Sequence, residues 1–322
     1  MTVSVLSSEA APAADLTAGQ RQARAVGAFL GLAIGDALGA TVEFMTPAEI
    51  AHANRRRGGR HTEIVGGGWL RLRAGQVTDD TTMALALGEA ILEAHGRIEA
   101  SACARAFDGW MRGRPVDIGN TVRRGILHFR NTGAVHVPES QDAGNGAAMR
   151  CLPVALALAG STPARLDAAA LVQARVTHHN PLSDAVVCAL VRMVSALVCG
   201  AGPEVLLKEA ASLSEVHPEL RFRGRQCLNP SGYVVDTYRA VMQALVDTAD
   251  FEACLVEVVN RGGDADTTGA IAGMLAGALY GESALPERWL VALDPAVRAS
   301  CESQARRLFA HAPAATLSRA RH

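Results

Sequence analysis

The chain has 322 residues, 49% of them hydrophobic and 20% charged, with a net charge of −1. That is a globular composition, long enough for one large core or two ordinary ones. The charge balance supplies no field for non-specific nucleic-acid binding, and no basic stripe is interleaved with aromatics, so nucleic acid is excluded as a partner.

Residues 1–21 lack the basic and apolar regions of a signal peptide, and their Ala, Pro and Ser content reads as a disordered leader. From Gln22 the pattern turns helical. The stretch ARAVGAFLGLAIGDALGATVEF is apolar on more than one face, as in a buried helix. Its Gly27, Gly31, Gly35 and Gly39 recur every four residues along one face, which reads as close packing inside a core. Pro47 opens a short helix, and a Gly/Arg-rich loop follows to about Gly68. The RRRGGR run at 55–60 reads as a solvated loop, with an anion or acidic partner as the other reading.

Helices are then expected at 80–95, 101–112, 118–130, 147–160, 166–176, 183–199 and 203–214. Further ones are expected at 232–247, 251–260, 267–281, 286–291 and 295–310, leaving 311–322 as a flexible tail. Ser101, Ser183 and the Asp294–Pro295 pair supply N-cap oxygens or the favoured first-turn proline. The most apolar run, 185–199, carries Arg192 and is too short to span a bilayer, so no intrinsic membrane segment is expected and the location is cytoplasmic. Aromatics make up 4% while Ala and Gly abound, which favours closely packed helices, and strand-like runs are nearly absent. The expectation is an all-α, compact single domain over 22–310. Seven scattered cysteines with no CxxC pair point to free thiols in a reducing compartment.

Two segments carry the chemistry. QVTDDTTMALALGEAIL at 76–92 and GGDADTTGAIAGMLAG at 262–277 each set two aspartates beside a Thr-Thr pair and then launch an apolar helix. Alone, either reads as helix capping, where a carboxylate at the N-terminus gains about 0.3–1 kcal/mol from the dipole. Together they read differently if they face one another. Four carboxylates within about 4–6 Å would repel by roughly 3–4 kcal/mol per neighbouring pair at an effective dielectric near 20. Two divalent cations would neutralise them, and all-oxygen ligands suit Mg²⁺ or Mn²⁺ rather than zinc or copper.

Three loops are less decisive. RPVDIGNT at 114–121 places Asp117 and Asn120 around Gly119 before a helix. DAGNGAAMR at 142–150 exposes backbone N–H groups as a phosphate cradle would, yet it also reads as an ordinary glycine turn and lacks Walker and Rossmann spacing. THHNP at 177–181 holds two histidines whose default role is structural.

Taken together, GAFLGLAIGDALGATVEFMT, GGGWLRLRAGQVTDDTTMALALG, RPVDIGNTVRRGI, GNGAAMRCLPVALA and NRGGDADTTGAIAGMLAGALYG resemble the ADP-ribosylglycohydrolase family over about residues 24–310. Within it, the chain is most similar to the subgroup that acts on dinitrogenase reductase, the iron protein of nitrogenase. The resemblance implies an all-α fold with a dinuclear manganese or magnesium site in a cleft. The ligands would be Thr78, Asp79, Asp80, Asp264, Asp266 and Thr267, with Glu43 and Asp117 as the acids near the scissile bond. Substrate contacts would fall on Gly119, Asn120, Gly144, Asn145, Gly146, His178 and Tyr233. The implied substrate is ADP-ribosylated arginine on the iron protein. The implied regulator is a PII-type signalling protein that sequesters the enzyme reversibly at the membrane.

Relatives space two histidines by one residue before the proline. Here Asn180 takes the second place, which leaves His179 without a family role. Two other readings stay open: hydrolysis of a different ADP-ribosyl linkage or toxin-modified protein, and a non-catalytic relative such as a lens crystallin. Retention of the aspartates, threonines, Glu43 and Asp117 argues against the second.

Overall fold

The structure, a computed structural model, describes residues 16–316. In chain order its helices are α1 (Ala18–Gly39), α2 (Pro47–Ala53), α3 (Asp79–Glu93), α4 (Ala100–Arg112), α5 (Asn120–Thr132), α6 (Gly146–Met149), α7 (Leu152–Ala157) and α8 (Pro163–Ala174). They continue with α9 (Pro181–Val198), α10 (Glu204–Val216), α11 (Val234–Asp247), α12 (Phe251–Val259), α13 (Ala265–Tyr280), α14 (Glu287–Ala292), α15 (Pro295–Phe309) and α16 (Pro313–Thr316). Among the described residues there is no strand, only isolated bridges at Gly67–Leu72 and Gly144–Tyr233. The fold is all-α, built around one continuous apolar core.

That core is organised by an antiparallel pair at its centre. Gly27, Gly31, Gly35 and Gly39 of α1 face Gly277, Gly273, Gly269 and Ala265 of α13, turn by turn. A Cβ added at Gly27 would lie 2.7 Å from the Gly277 carbonyl, and at Gly31, Gly35 and Gly39 the facing carbonyl is closer still. With no side chains between them, the two backbones touch at four facing positions over about three helical turns. The four-residue glycine period is thus explained as close packing, and it ties the end of α1 to the start of α13.

Several boundaries differ from the sequence expectation for identifiable reasons. Helix α1 begins before Gln22, because Thr17 and Gln20 form a capping box ahead of the apolar pattern. It stops at Gly39 rather than running to residue 44; a turn follows in which Phe44 adopts φ 63°. The helix expected at 147–160 is split into α6 and α7, because Pro153 has no N–H to bond back to Met149. Ser101 and Ser183 do not cap: α4 begins from Glu99, and α9 begins from Asn180, whose side chain accepts from Leu182 N. Asp294 does cap, accepting from Ala296 N and Val297 N.

Pro313–Thr316, within the expected tail, is helical, and Ala314 is buried. The leader at 1–15 and the tail at 317–322 lie outside the described residues. Helix α9 is longer than the apolar run in the sequence, and by length and composition it could cross a membrane; most of it is buried in this core. All seven cysteines are free and five are buried. Of the basic loop, Arg55–Arg57 form an exposed 3-10 turn, and Arg60 pairs with Glu257.

Candidate active site

The α1–α13 contact brings the loop after α1 against the loop before α13. Phe44 N donates to Gly263 O at 2.7 Å and Gly263 N to Met45 O at 3.0 Å. Gly262 and Gly263 both have positive φ, and a Cβ on Gly263 would meet the backbone of Asn229 and Pro230. The glycine pair before DADTT is therefore required by conformation and by space. It delivers Asp264 and Asp266 beside Glu43.

Helix α3 enters from another side, and its first turn is held by a residue the sequence reading passed over. Asp36, fully buried on α1, accepts from Thr78 N at 3.0 Å, Thr78 Oγ1 at 3.0 Å, Thr81 N at 3.0 Å and Thr81 Oγ1 at 2.5 Å. The only signal in the sequence was a lone carboxylate inside an otherwise apolar, glycine-rich helix. Asp36 caps α3 from outside, and Thr78 makes no side-chain cap bond to its own helix; at the start of α13, Asp264 makes none either. The side chains that plain capping would have used are free to face each other.

They converge. Thr78 Oγ1 lies 3.2 Å from Asp80 Oδ2 and 3.4 Å from Asp266 Oδ2, a residue 188 positions away. Thr267 Oγ1 lies 3.5 Å from Asp80 Oδ2. Glu43, Asp264 and Asp266 each offer an oxygen within 4.8 Å of the others, and all three are buried. Asp80 Oδ1 is buried with no hydrogen-bond partner. An all-oxygen donor set with unspent lone pairs fits a hard divalent cation.

Above this floor sits a cavity of about 330 Å³. Asp79, Asp264, Asp266 and Thr267 line it, together with Glu43, Asp117, Gly119, Asn120, Gly144, Asn145, Gly146 and His178. Thr78 and Asp80 lie beneath, fully buried and not in the lining. Asp79 Oδ2 accepts from Gly119 N at 3.4 Å, which ties the floor to the RPVDIGNT loop. Asn145 Nδ2 donates to Asp264 Oδ2 at 2.6 Å and to Thr237 Oγ1 at 2.8 Å, so the GNG turn is bonded to the acid cluster.

Tyr233 is 41% exposed and its side chain does not line the cavity; its backbone pairs with Gly144, and its neighbour Gly232 does line it. His179 faces away, with Nδ1 3.1 Å from Val137 O, while Asn180 caps α9. At the mouth, Trp69 Nε1 donates to Glu43 Oε2 at 2.6 Å, and its ring packs 5.4 Å from that of Phe44.

The electrostatics follow from crowding acids out of water. Burial, reinforced by the charges of Asp264, Asp117 and Asp79, pushes Glu43 up to about 8 against the pull of the Trp69 bond. Burial and the Asp117 charge raise Asp79 to about 7. Asp36, also buried, rises only to about 6 because Thr81 and Thr78 donate to it. Asp80 and Asp266 are raised well above the carboxylate range by burial and by their acidic neighbours. Such a cluster takes up protons or cations.

Comparison with known proteins places the chain in a family. The ADP-ribosylglycohydrolase family model matches residues 17–316. The chain is 50% identical over 288 residues to the ADP-ribosyl-[dinitrogen reductase] glycohydrolase of Rhodospirillum rubrum, covering 89% of this chain and 96% of that one. It is 35% identical to the ADP-ribosylarginine hydrolase Tri1 of Serratia proteamaculans (strain 568), over 90% of this chain and 80% of the relative. A solved structure described as an ADP-ribosylglycohydrolase-related protein complex superposes with a TM-score of 0.80 at 35% identity, over 91% of this chain and 99% of that chain.

Proposed function

The chain belongs to the ADP-ribosylglycohydrolase family, and from that premise we propose that it is a metal-dependent hydrolase removing ADP-ribose from an ADP-ribosylated arginine of the nitrogenase iron protein, which reactivates it. One observation carries the reading most: two acidic segments nearly two hundred residues apart share the floor of one cavity whose wall is a glycine turn.

Thr78, Asp79, Asp80, Asp264, Asp266 and Thr267 would hold two divalent cations, manganese foremost and magnesium as the other candidate. Bound there, the cations supply charge stabilisation and acidify bound water. The residues around them do the rest. The Gly144–Gly146 turn would give a close backbone approach for ribose and diphosphate, with Gly119 and Asn120 in the same lining. Breaking the bond between the anomeric carbon and the guanidine nitrogen expels a guanidine, which leaves far better protonated. Asp117 and Glu43, which line the same cavity, would keep that proton on it or move it.

Similarity to an ADP-ribosylarginine hydrolase supports the arginine linkage independently of the acceptor protein. The enzyme acts in the cytoplasm, and membrane association comes through a PII-type partner. The test is incubation with arginine-ADP-ribosylated iron protein with and without Mn²⁺, following released ADP-ribose. Release that needs the cation and is abolished in Asp264→Ala, with the helical spectrum intact, supports the proposal. Wild-type turnover by that variant overturns it.

A further inference from the structure

Arg150 is a fully buried cation with no carboxylate partner among the described residues. It lies between α6 and α7, its guanidinium over the Phe107 ring at 4.3 Å. Its donors go to neutral acceptors: Nε to Gln173 Oε1 at 2.9 Å, and Nη2 to Gln173 O at 3.1 Å and to Thr177 Oγ1 at 2.7 Å. Gln173 is locked in turn, since its Nε2 donates to Ala147 O at 3.1 Å. Nη1 lies 3.6 Å from Met83 Sδ, and the bonds to Gln173 and Thr177 fix the direction of the next one.

Arginine only donates, so Thr177 Oγ1 accepts from it; were it to accept from His178 Nδ1 as well, at 2.8 Å, its own buried hydrogen would have no acceptor among the described residues, so the arrangement that uses every group has Thr177 donating to Nδ1. Nδ1 is therefore the bare nitrogen, and in the neutral ring the proton sits on Nε2. That second nitrogen has no partner within the described protein. A Cβ added at Gly144 or Gly146 would lie 3.1 Å or 3.2 Å from it, so the imidazole edge sits under the GNG turn, in the lining of the cavity. His178 is only 2% exposed, and burial together with the Arg150 and Arg124 charges holds it well below its usual range, consistent with a neutral ring.

We propose that Arg150 and Thr177 are positioning residues that set His178 as the neutral Nε2–H tautomer, a fixed donor beneath the Gly144–Gly146 turn to an oxygen of the bound ADP-ribosyl group. The ligand assignment rests on the function proposed above; the tautomer does not. An imidazole held this way can only donate from Nε2. It selects an acceptor oxygen at that point and leaves a ligand N–H unsatisfied, a discrimination that a freely rotating or mixed-tautomer histidine would lose.

Long-range ¹H–¹⁵N spectra of ¹⁵N-histidine-labelled, ligand-free protein read the tautomer directly, with His178 assigned by the resonance lost in His178→Asn. The expected pattern is an unprotonated Nδ1 and a protonated Nε2. Thr177→Val should convert it to a tautomer mixture and weaken ADP-ribose binding about tenfold by calorimetry, while Thr177→Ser restores both. A comparable loss with ADP places the acceptor on the diphosphate; a loss confined to ADP-ribose places it on the distal ribose. A protonated Nδ1 in the wild type overturns the proposal even if the valine variant fails to fold. So does unchanged ADP-ribose affinity in a folded valine variant. Absence of hydrolase activity with the expected tautomer would instead sink the functional reading.

Discussion

Replacing Gly35 by alanine puts a methyl group where two backbones touch. The new Cβ would sit 2.8 Å from Ala270 N and closer still to the Gly269 carbonyl, against about 3.5–4.0 Å for a relaxed contact. Neither neighbour is a side chain that can rotate away, so α1 and α13 must separate by about 1 Å. Overpacking of this kind costs about 1–3 kcal/mol and occasionally more; rigid backbone on both sides places this case at the upper end. Against it stands the better helix propensity of alanine, about 1 kcal/mol. The net expectation is a loss of about 2 kcal/mol or more in urea denaturation followed by circular dichroism. Gly109→Ala in α4 is the control: nothing lies within 4 Å of the added Cβ, so only the propensity gain of about 1 kcal/mol should appear. Because the same contact sets Glu43 against Asp264 and Asp266, Gly35→Ala should also weaken Mn²⁺ binding. A Gly35→Ala protein within 0.5 kcal/mol of wild type, beside a control that behaves as expected, would refute the claim that backbone contact organises the site.

Two further outcomes are expected. Trp69→Phe keeps a ring beside Phe44 but removes the donor to Glu43; kcat on the ADP-ribosylated protein should fall about tenfold with little change in melting, since the indole is half exposed, and an unchanged kcat would show that Glu43 needs no such anchor. Stability of the metal-free protein should fall as pH rises from about 4 to about 8. Over that window the unfolded chain has already released protons that the folded one retains on Asp36 (about 6), Asp79 (about 7) and Glu43 (about 8), so the penalty is absent below the unfolded values and complete above the folded ones. Saturating Mn²⁺ should flatten that slope in thermal melts across the range; a slope unaffected by the cation would argue that these acids do not bind it.

Much of this arrangement was legible in the chain because it repeats. Two Asp pairs beside Thr pairs, and glycines at a four-residue period, are patterns that local chemistry alone would not write twice. The parts that escaped are single residues whose meaning is purely tertiary. Asp36 looks like an oddity in an apolar helix until α3 is brought against it. Arg150, between Met149 and Cys151, shows nothing of its burial or of its bonds to Gln173 and Thr177. Helix ends failed where the true cap lay a few residues upstream, as Asn180 does for α9, because Ser183 is an equally good cap on paper. Tyr233 was placed by its motif, yet the contact it contributes is made by its backbone.

The pairing of α1 with α13 also has a cost in time. The partner of the first helix is among the last to be made, with more than two hundred residues between Gly39 and Ala265. At about 5–20 residues per second of synthesis, α1 waits roughly 10–45 s for the surface it packs against. Through that interval its row of bare glycine backbone has no native mate, and the acids of α3 have no opposite number. Such non-local closure makes for slow folding that is open to aggregation. Chaperone dependence during expression, relieved once the chain extends past Tyr280, is the expected signature.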